Sequence, residues 1–185
     1  MNVFEAIENR RAYRSLDPVE ITDELIRDLA RSAGLAPSCF NSQPWRFVFV
    51  RDPEVLREMH GALSKGNEWI QDASMIIAVF SRAEDDCQIR DRVYHQFDVG
   101  MATAFLILRA TELGLVAHPV AGYSPRKVRA ILGIPKEMQV ITLVNVGVHS
   151  ETLHDKLTDQ QKEVEKARPE RLLFEKYAYI DKYSV

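Results

Sequence analysis

The apolar positions of this chain change period several times, and each change marks an element. Val3, Phe4 and Ile7 fall on one face of a helix over roughly Asn2 to Asn9. Thr22 or Asp23 can cap a second helix, with Leu25, Ile26, Leu29, Ala30 and Ala33 along one side until Gly34 and Pro37 end it. Arg46 to Val50 reads as a buried strand between Pro44 and Asp52-Pro53, and that dipeptide supplies the N-cap and first-turn proline of a third helix. Ser74 to Ser81 is apolar at both parities, as a strand covered on both faces must be. The charged segment Arg82 to Arg92, with Asp85 and Asp86, reads as solvated surface. From about Val93 to Leu113 runs the longest helix, with Val93, Phe97, Met101, Ala104, Phe105 and Leu108 at helical spacing. Gly100, Ala102, Thr103 and Ala104 allow close approach, which predicts a central helix stopped by Gly114. Leu115 to Ala117 suggests a short strand. Ser124-Pro125 opens a helix through Leu132 that Gly133 closes, and Val140 to Val148 is the clearest strand of all. Beyond Ser150 the chain is polar, with few turn signals after Pro169. Without repeats or linkers, this alternation predicts a single domain, 1–185, built as a layered α/β or α+β sandwich.

Composition narrows the functional classes. A chain of 185 residues can bury a sufficient core without disulfides or metals. Its net charge of −3 argues against nucleic acid, which recruits a positive face. Cys39 and Cys87 make no CxxC motif and no disulfide framework, so a reducing, cytoplasmic setting is expected. Charged Glu5, Glu8, Arg10 and Arg11 fall where a signal peptide needs an apolar core. The run Met75 to Phe80 is too short to span a bilayer, so no membrane association is expected.

Two polar clusters carry the candidate chemistry. Arg10-Arg11-Ala12-Tyr13-Arg14 places three planar, permanently charged forks within five residues, a geometry suited to a phosphate dianion. Ala36-Pro37-Ser38-Cys39-Phe40-Asn41-Ser42-Gln43-Pro44-Trp45 gathers hydroxyl, amide and backbone donors around two stiffening prolines, suited to the polar edge of a flat heterocycle. A flavin mononucleotide (FMN) would use both. The glycines never fall at GxGxxG spacing and no Walker loop exists, which excludes a resident dinucleotide held by a Rossmann turn. The five histidines form no HExxH and no i, i+4 pair, so no metal is expected. There is no GxSxG, and Cys39 lacks a local base, so a bound cofactor must carry any redox reaction.

With Pro119-Val-Ala-Gly-Tyr123, these two clusters resemble the nitroreductase family of flavin enzymes, in order and spacing along nearly the whole chain. The segments Asp98 to Leu115 and Val140 to Gly147 are similar to the family's central helix with its following strand and to its last core strand. The resemblance implies an α+β fold, a three-layer α/β/α sandwich with a central, mostly antiparallel sheet, homodimeric, with one FMN per subunit at the interface. By position, Arg10, Arg11, Ala12 and Arg14 would hold the phosphate and ribityl chain. Pro37, Ser38, Cys39, Asn41 and Gln43 would line the flavin from the other subunit. Ala121 and Gly122 would present backbone groups near its reactive edge, and either Lys65 or Asn67 would reach it from a loop. Lys166 and Arg168 would complete the phosphate site, with Arg171 the substitute if the register shifts. Ala12 departs from the family's common serine, removing one hydroxyl.

The leading expectation is an FMN-dependent oxidoreductase that passes hydride from NADH or NADPH to a small nitroaromatic, quinone or similar acceptor by a ping-pong mechanism. Two alternatives are a specialised relative (a reductive dehalogenase or flavin-fragmenting enzyme) and a non-catalytic flavin-binding protein. The last requires a flavin face blocked by bulky groups such as Phe40, Trp69 or Tyr123.

Overall fold

The computed structural model describes residues 1–183. In chain order the elements are α1 (Val3–Asn9), β1 (Leu16–Asp17), α2 (Asp23–Gly34), β2 (Arg46–Val50), α3 (Pro53–His60), β3 (Met75–Ser81), β4 (Gln88–Ile89), β5 (Arg92–Val93), α4 (His95–Glu112), β6 (Val116–Val120), α5 (Pro125–Leu132), β7 (Gln139–His149) and α6 (Asp159–Lys166). Local chemistry sets most of these ends. Thr22 caps α2, Asp52 with Pro53 starts α3, and Ser124 with Pro125 starts α5, each cap oxygen accepting an otherwise unpaired first-turn N–H. Gly114 and Gly133 follow α4 and α5 at φ +78° and +64°, a region closed to most side chains.

The main sheet runs β2-β3-β7, and β6 and then β1 pair the far edge of β7; every pairing is antiparallel. β3 is buried at all seven positions and its parity sorts the core. Ile76, Ala78 and Phe80 join Met59, Trp69, Val128 and Leu143 on one face, under α3 and α5. Met75, Ile77 and Val79 join Leu29, Val99, Leu106 and Val144 on the other, under α2 and α4. The result is the three-layer α/β/α sandwich, of α+β class. Each fully buried branched side chain contributes roughly 1.5–3 kcal/mol, so the two-sided strand anchors the fold. The described residues include no helix long and apolar enough to cross a membrane.

Four sequence expectations need correction. First, α4 is central, but it buries the face bearing Val99, Ala102, Thr103, Leu106 and Ala110. Small residues let its backbone approach the sheet and α2, and the bulkier seam of Phe97 and Phe105 is left exposed. Val3, Phe4 and Ile7 of α1 are exposed too, with only Ala6 buried. Second, the polar C-terminal region contains α6, opened by a capping box in which Thr158 and Gln161 satisfy each other's backbone N–H groups. Third, residues 82–93 are not simply solvated. They form a turn and the β4–β5 hairpin, and Asp85 and Asp86 each keep a buried carboxylate oxygen. Fourth, Cys39 and Cys87 are disulfide-bonded, with Cα atoms 5.9 Å apart. The fold joins two loops 48 residues apart, which spacing rules such as CxxC do not address. The bridge removes the cysteine-based ground for expecting a reducing compartment.

Leu106 is fully buried in α4 against the sheet. Leu106→Ala should lower unfolding free energy by about 2–5 kcal/mol, read from urea midpoints at unchanged slope.

Candidate functional site

The N-terminal arginines gather where α6 meets the segment following α1. Arg10, Arg11, Ala12 and Arg14 line a cleft of about 220 Å³ with Val164, Arg168, Pro169 and Arg171. Backbone carbonyls fix several of the guanidinium groups. Arg11 Nη2 donates to the carbonyls of Val164 (3.0 Å) and Glu165 (3.1 Å), and its guanidinium lies 4.3 Å over the Tyr13 ring. Arg168 Nη2 donates to the carbonyls of Arg10 (2.7 Å) and Glu8. The fold also brings an acid to the arginines from a distant part of the chain. Buried Glu165 accepts the backbone N–H groups of Arg14 (3.0 Å) and Ser15 (3.2 Å), and its Oε1 lies 3.9 Å from Arg14 Nη1.

One carboxylate against five arginines leaves the cleft strongly positive. Burial lowers the Arg10 pKa from its ordinary value, and the cations Arg168 and Arg171 lower it further. A polyanion would relieve that repulsion. Arg171, the substitute position in the sequence argument, lines the cleft; Lys166 does not, and pairs with Glu163 on the surface.

α6 also links the cleft to a second group of predicted residues. Gln161 Nε2 donates to the Gly66 carbonyl (2.8 Å). The loop around Gly66 is zipped to the segment after β6: Ser64 N and Asn67 Nδ2 both donate to the Gly122 carbonyl (2.9 and 3.1 Å), and Ser124 N donates to the Ala62 carbonyl. A methyl group on Gly122 would come within 2.1 Å of Asn67 Nδ2, so a larger residue here would displace the Asn67 side chain. Between the two loop candidates, the structure joins Asn67 to Gly122 and leaves Lys65 exposed in solvent. Ala121 is exposed beside them.

The remaining predicted residues, Pro37, Ser38, Cys39, Asn41 and Gln43, stand apart. Pro37, Ser38 and Cys39 line a different cavity, of about 290 Å³, with Ile89, Tyr94, Phe97, Asp98 and Met101. In this loop Phe40, Asn41 and Gln43 take positive φ (49°, 59° and 50°), costing on the order of 1–3 kcal/mol each for non-glycine residues. Ser38 holds the turn: its carbonyl accepts Asn41 N–H and its hydroxyl accepts Gln43 N–H, both at 3.0 Å. Cys39 N–H donates to Asp98 Oδ2 at 2.6 Å. Burial raises the Asp98 pKa, and a hydrogen bond and like charge from Asp86 raise it further. Of the bulky groups that would block a bound ring, Trp69 is fully buried in the core and Phe40 is exposed to solvent.

Sequence reasoning left one supporting residue unassigned. His118 stacks on Trp69 with ring centroids 4.7 Å apart, its Nδ1 lies 3.0 Å from the Tyr13 carbonyl, and Arg14 lies 5.9 Å over the Trp69 ring. The histidine thus braces the arginine segment from beneath. No local signal distinguishes it, because all these partners are distant in sequence.

These features place the chain among known proteins. Residues 7–68 and 62–148 match the family model described as Nitroreductase family. The chain belongs to the nitroreductase family. It is thereby an oxidoreductase by family. A protein of Thermus thermophilus named NADH dehydrogenase is 27% identical over 173 residues, covering 77% of this chain and 84% of that protein. An iodotyrosine deiodinase of Haliscomenobacter hydrossis is 29% identical over 176 residues, covering 80% and 79%. A solved structure described as an oxidoreductase containing FMN aligns with a TM-score of 0.85 at 27% identity, covering 97% of this chain and 91% of that one.

Burial lowers the His118 pKa to about 4, with Arg14 and Arg10 adding to the effect against the Tyr13 hydrogen bond. The unfolded chain takes up this proton near pH 6.5 and the folded chain only near 4, so the unfolded state holds more protons in that window. The contribution is therefore full above pH 6.5 and is lost as pH falls toward 4. Stability should drop by about 3 kcal/mol across that range, and His118→Gln should flatten this part of the profile in urea titrations.

Proposed function

We propose that this protein is an FMN-dependent oxidoreductase that moves hydride from NADH or NADPH to a small nitroaromatic, quinone or similar acceptor in two half-reactions. The positive cleft carries the reading: five guanidinium groups surround a space sized for one small anion, and among the described residues Glu165 is the carboxylate paired with them. Arg10, Arg11, Arg14, Arg168 and Arg171 would hold the FMN phosphate through charge-assisted hydrogen bonds. Asn67 and the backbone at Ala121 and Gly122 would meet the ring system from the adjoining loops. When bound, FMN supplies the two-electron chemistry that none of these side chains can perform.

In this reading the nicotinamide is a visiting substrate, consistent with the lack of a dinucleotide-binding glycine loop. Donor and acceptor then use one open site in turn. The NADH dehydrogenase name of the Thermus relative supports the donor, and the deiodinase relative supports a second reading, reductive dehalogenation of a halogenated phenol. Burial of Trp69 weighs against a pure flavin-binding role.

The active unit in this proposal is a homodimer. Exposed Val3, Phe4, Ile7, Leu35, Phe97 and Phe105, and the tail residues Leu172, Leu173, Phe174 and Ile180, are more apolar surface than a monomer keeps in water. A partner would bring its Pro37–Gln43 loop to complete the flavin site. The proposed setting is the cytoplasm.

Replacing Arg10 and Arg14 with alanine should preserve the circular dichroism spectrum but release flavin on dialysis, whereas wild-type protein stays yellow. Full flavin retention by the double variant would sink the phosphate assignment. With wild-type protein, stopped-flow mixing with NADH or NADPH should bleach the flavin absorbance, and an added acceptor should restore it with parallel double-reciprocal plots. Bleaching by dithionite but by neither nicotinamide would overturn the donor. Light scattering should give a dimer, and Phe105→Asp should shift it to monomer with loss of flavin.

A further inference from the structure

Among the described residues, the β4–β5 hairpin is a two-stranded piece that joins no other strand. At its base Asp85 pairs with Arg82 (2.6 Å) and lies 3.8 Å from Arg46, while Cys87 ties it covalently to the Pro37–Gln43 loop. Residues of both pieces, Cys39 and Ile89 among them, line the cavity that also holds Asp98. The position of the hairpin therefore sets the shape of that cavity.

The two half-cystines are also aligned independently of their sulfur atoms. Cys39 N–H donates to Asp98 Oδ2 (2.6 Å), and Cys87 N–H donates to Asp86 Oδ1 (2.7 Å). Each half-cystine therefore keeps a backbone hydrogen bond that does not depend on the S–S bond. Breaking the sulfur link leaves both backbone hydrogen bonds in place, with the two cysteines on facing loops. Both cysteines are half-buried rather than sealed in the core.

We propose that Cys39 and Cys87 are a reversible redox site, opened by small thiols and closed by small disulfides, that latches the hairpin to the 37–43 loop beside the Asp98 cavity. Opening breaks one S–S bond and forms two S–H bonds. Two thiol molecules supply the two electrons and two protons and leave as their own disulfide. Closing is the reverse exchange, with a small disulfide as electron acceptor. In a reducing compartment the latch stands open, and oxidation closes it. The effect on turnover rests on the oxidoreductase reading above; the latch itself does not.

The test uses wild-type protein equilibrated at graded ratios of reduced to oxidised glutathione, quenched with a maleimide and weighed intact, with flavin absorbance recorded separately. The expected result is no adduct of maleimide or glutathione at the oxidising end and two maleimide adducts at the reducing end, with a midpoint between. Amide hydrogen exchange over residues 87–93 should be at least tenfold faster in the reduced protein. Cys87→Ser should exchange fast in both buffers and take up a maleimide at Cys39 under reducing conditions. Two maleimide adducts at every ratio, none at every ratio, or equal exchange in both states would each overturn the latch. Loss of flavin with the sulfur results as expected would count against the oxidoreductase reading alone, leaving the latch standing.

Discussion

Strand β7 forms backbone hydrogen bonds on both edges, to β3 on one side and to β6 and β1 on the other. A strand paired on both edges and buried on both faces has no freedom to slip, because a one-residue shift would move every side chain to the wrong layer. That constraint fixes what flanks it. β6 hands the chain to Ala121 and Gly122 beside Leu143 of β7, and β1 holds the segment after the arginines at His149. The candidate site is a set of loops tied to the ends of one immobile strand.

Charge imposes the second constraint. Arginines brought this close repel, and the molecule contains that repulsion by pinning Arg11 and Arg168 to backbone carbonyls and Arg14 beside one buried carboxylate. A fully neutralised cluster would be a structural ion-pair network. This one keeps an excess of positive charge facing a cleft, the condition under which a dianionic ligand gains most. Helix α6 is the physical carrier, since its last turn supplies Glu165 and its first turn supplies Gln161 to the Gly66 loop.

The arginine cluster and the residues Pro37, Ser38 and Cys39 line separate cavities, each bordered by exposed apolar residues. The strained loop at Phe40, Asn41 and Gln43 and the exposed α1 and α4 faces have a common explanation if a second copy covers them. A protein that leaves Phe97 and Phe105 in water has hydrophobic free energy still to be realised by association.

Local sequence carried much of this. Caps and stops at Thr22, Asp52-Pro53, Gly114, Ser124-Pro125 and Gly133 act within one helical turn, and the unbroken apolar run of β3 requires burial on both faces, so both were legible without a structure. The arginine cluster was legible because its charges are contiguous. The Thr158–Gln161 capping box was equally local, though isolated in a polar stretch. Tertiary structure alone decided the rest. Amphipathic spacing marks an apolar seam on α4 but cannot say whether sheet or partner covers it, and the sheet took the smaller face. Glu165 against Arg14, His118 under Tyr13 and Cys39 bonded to Cys87 join positions 151, 105 and 48 residues apart. No periodicity encodes such pairings; they follow from where the β7 register carries each loop.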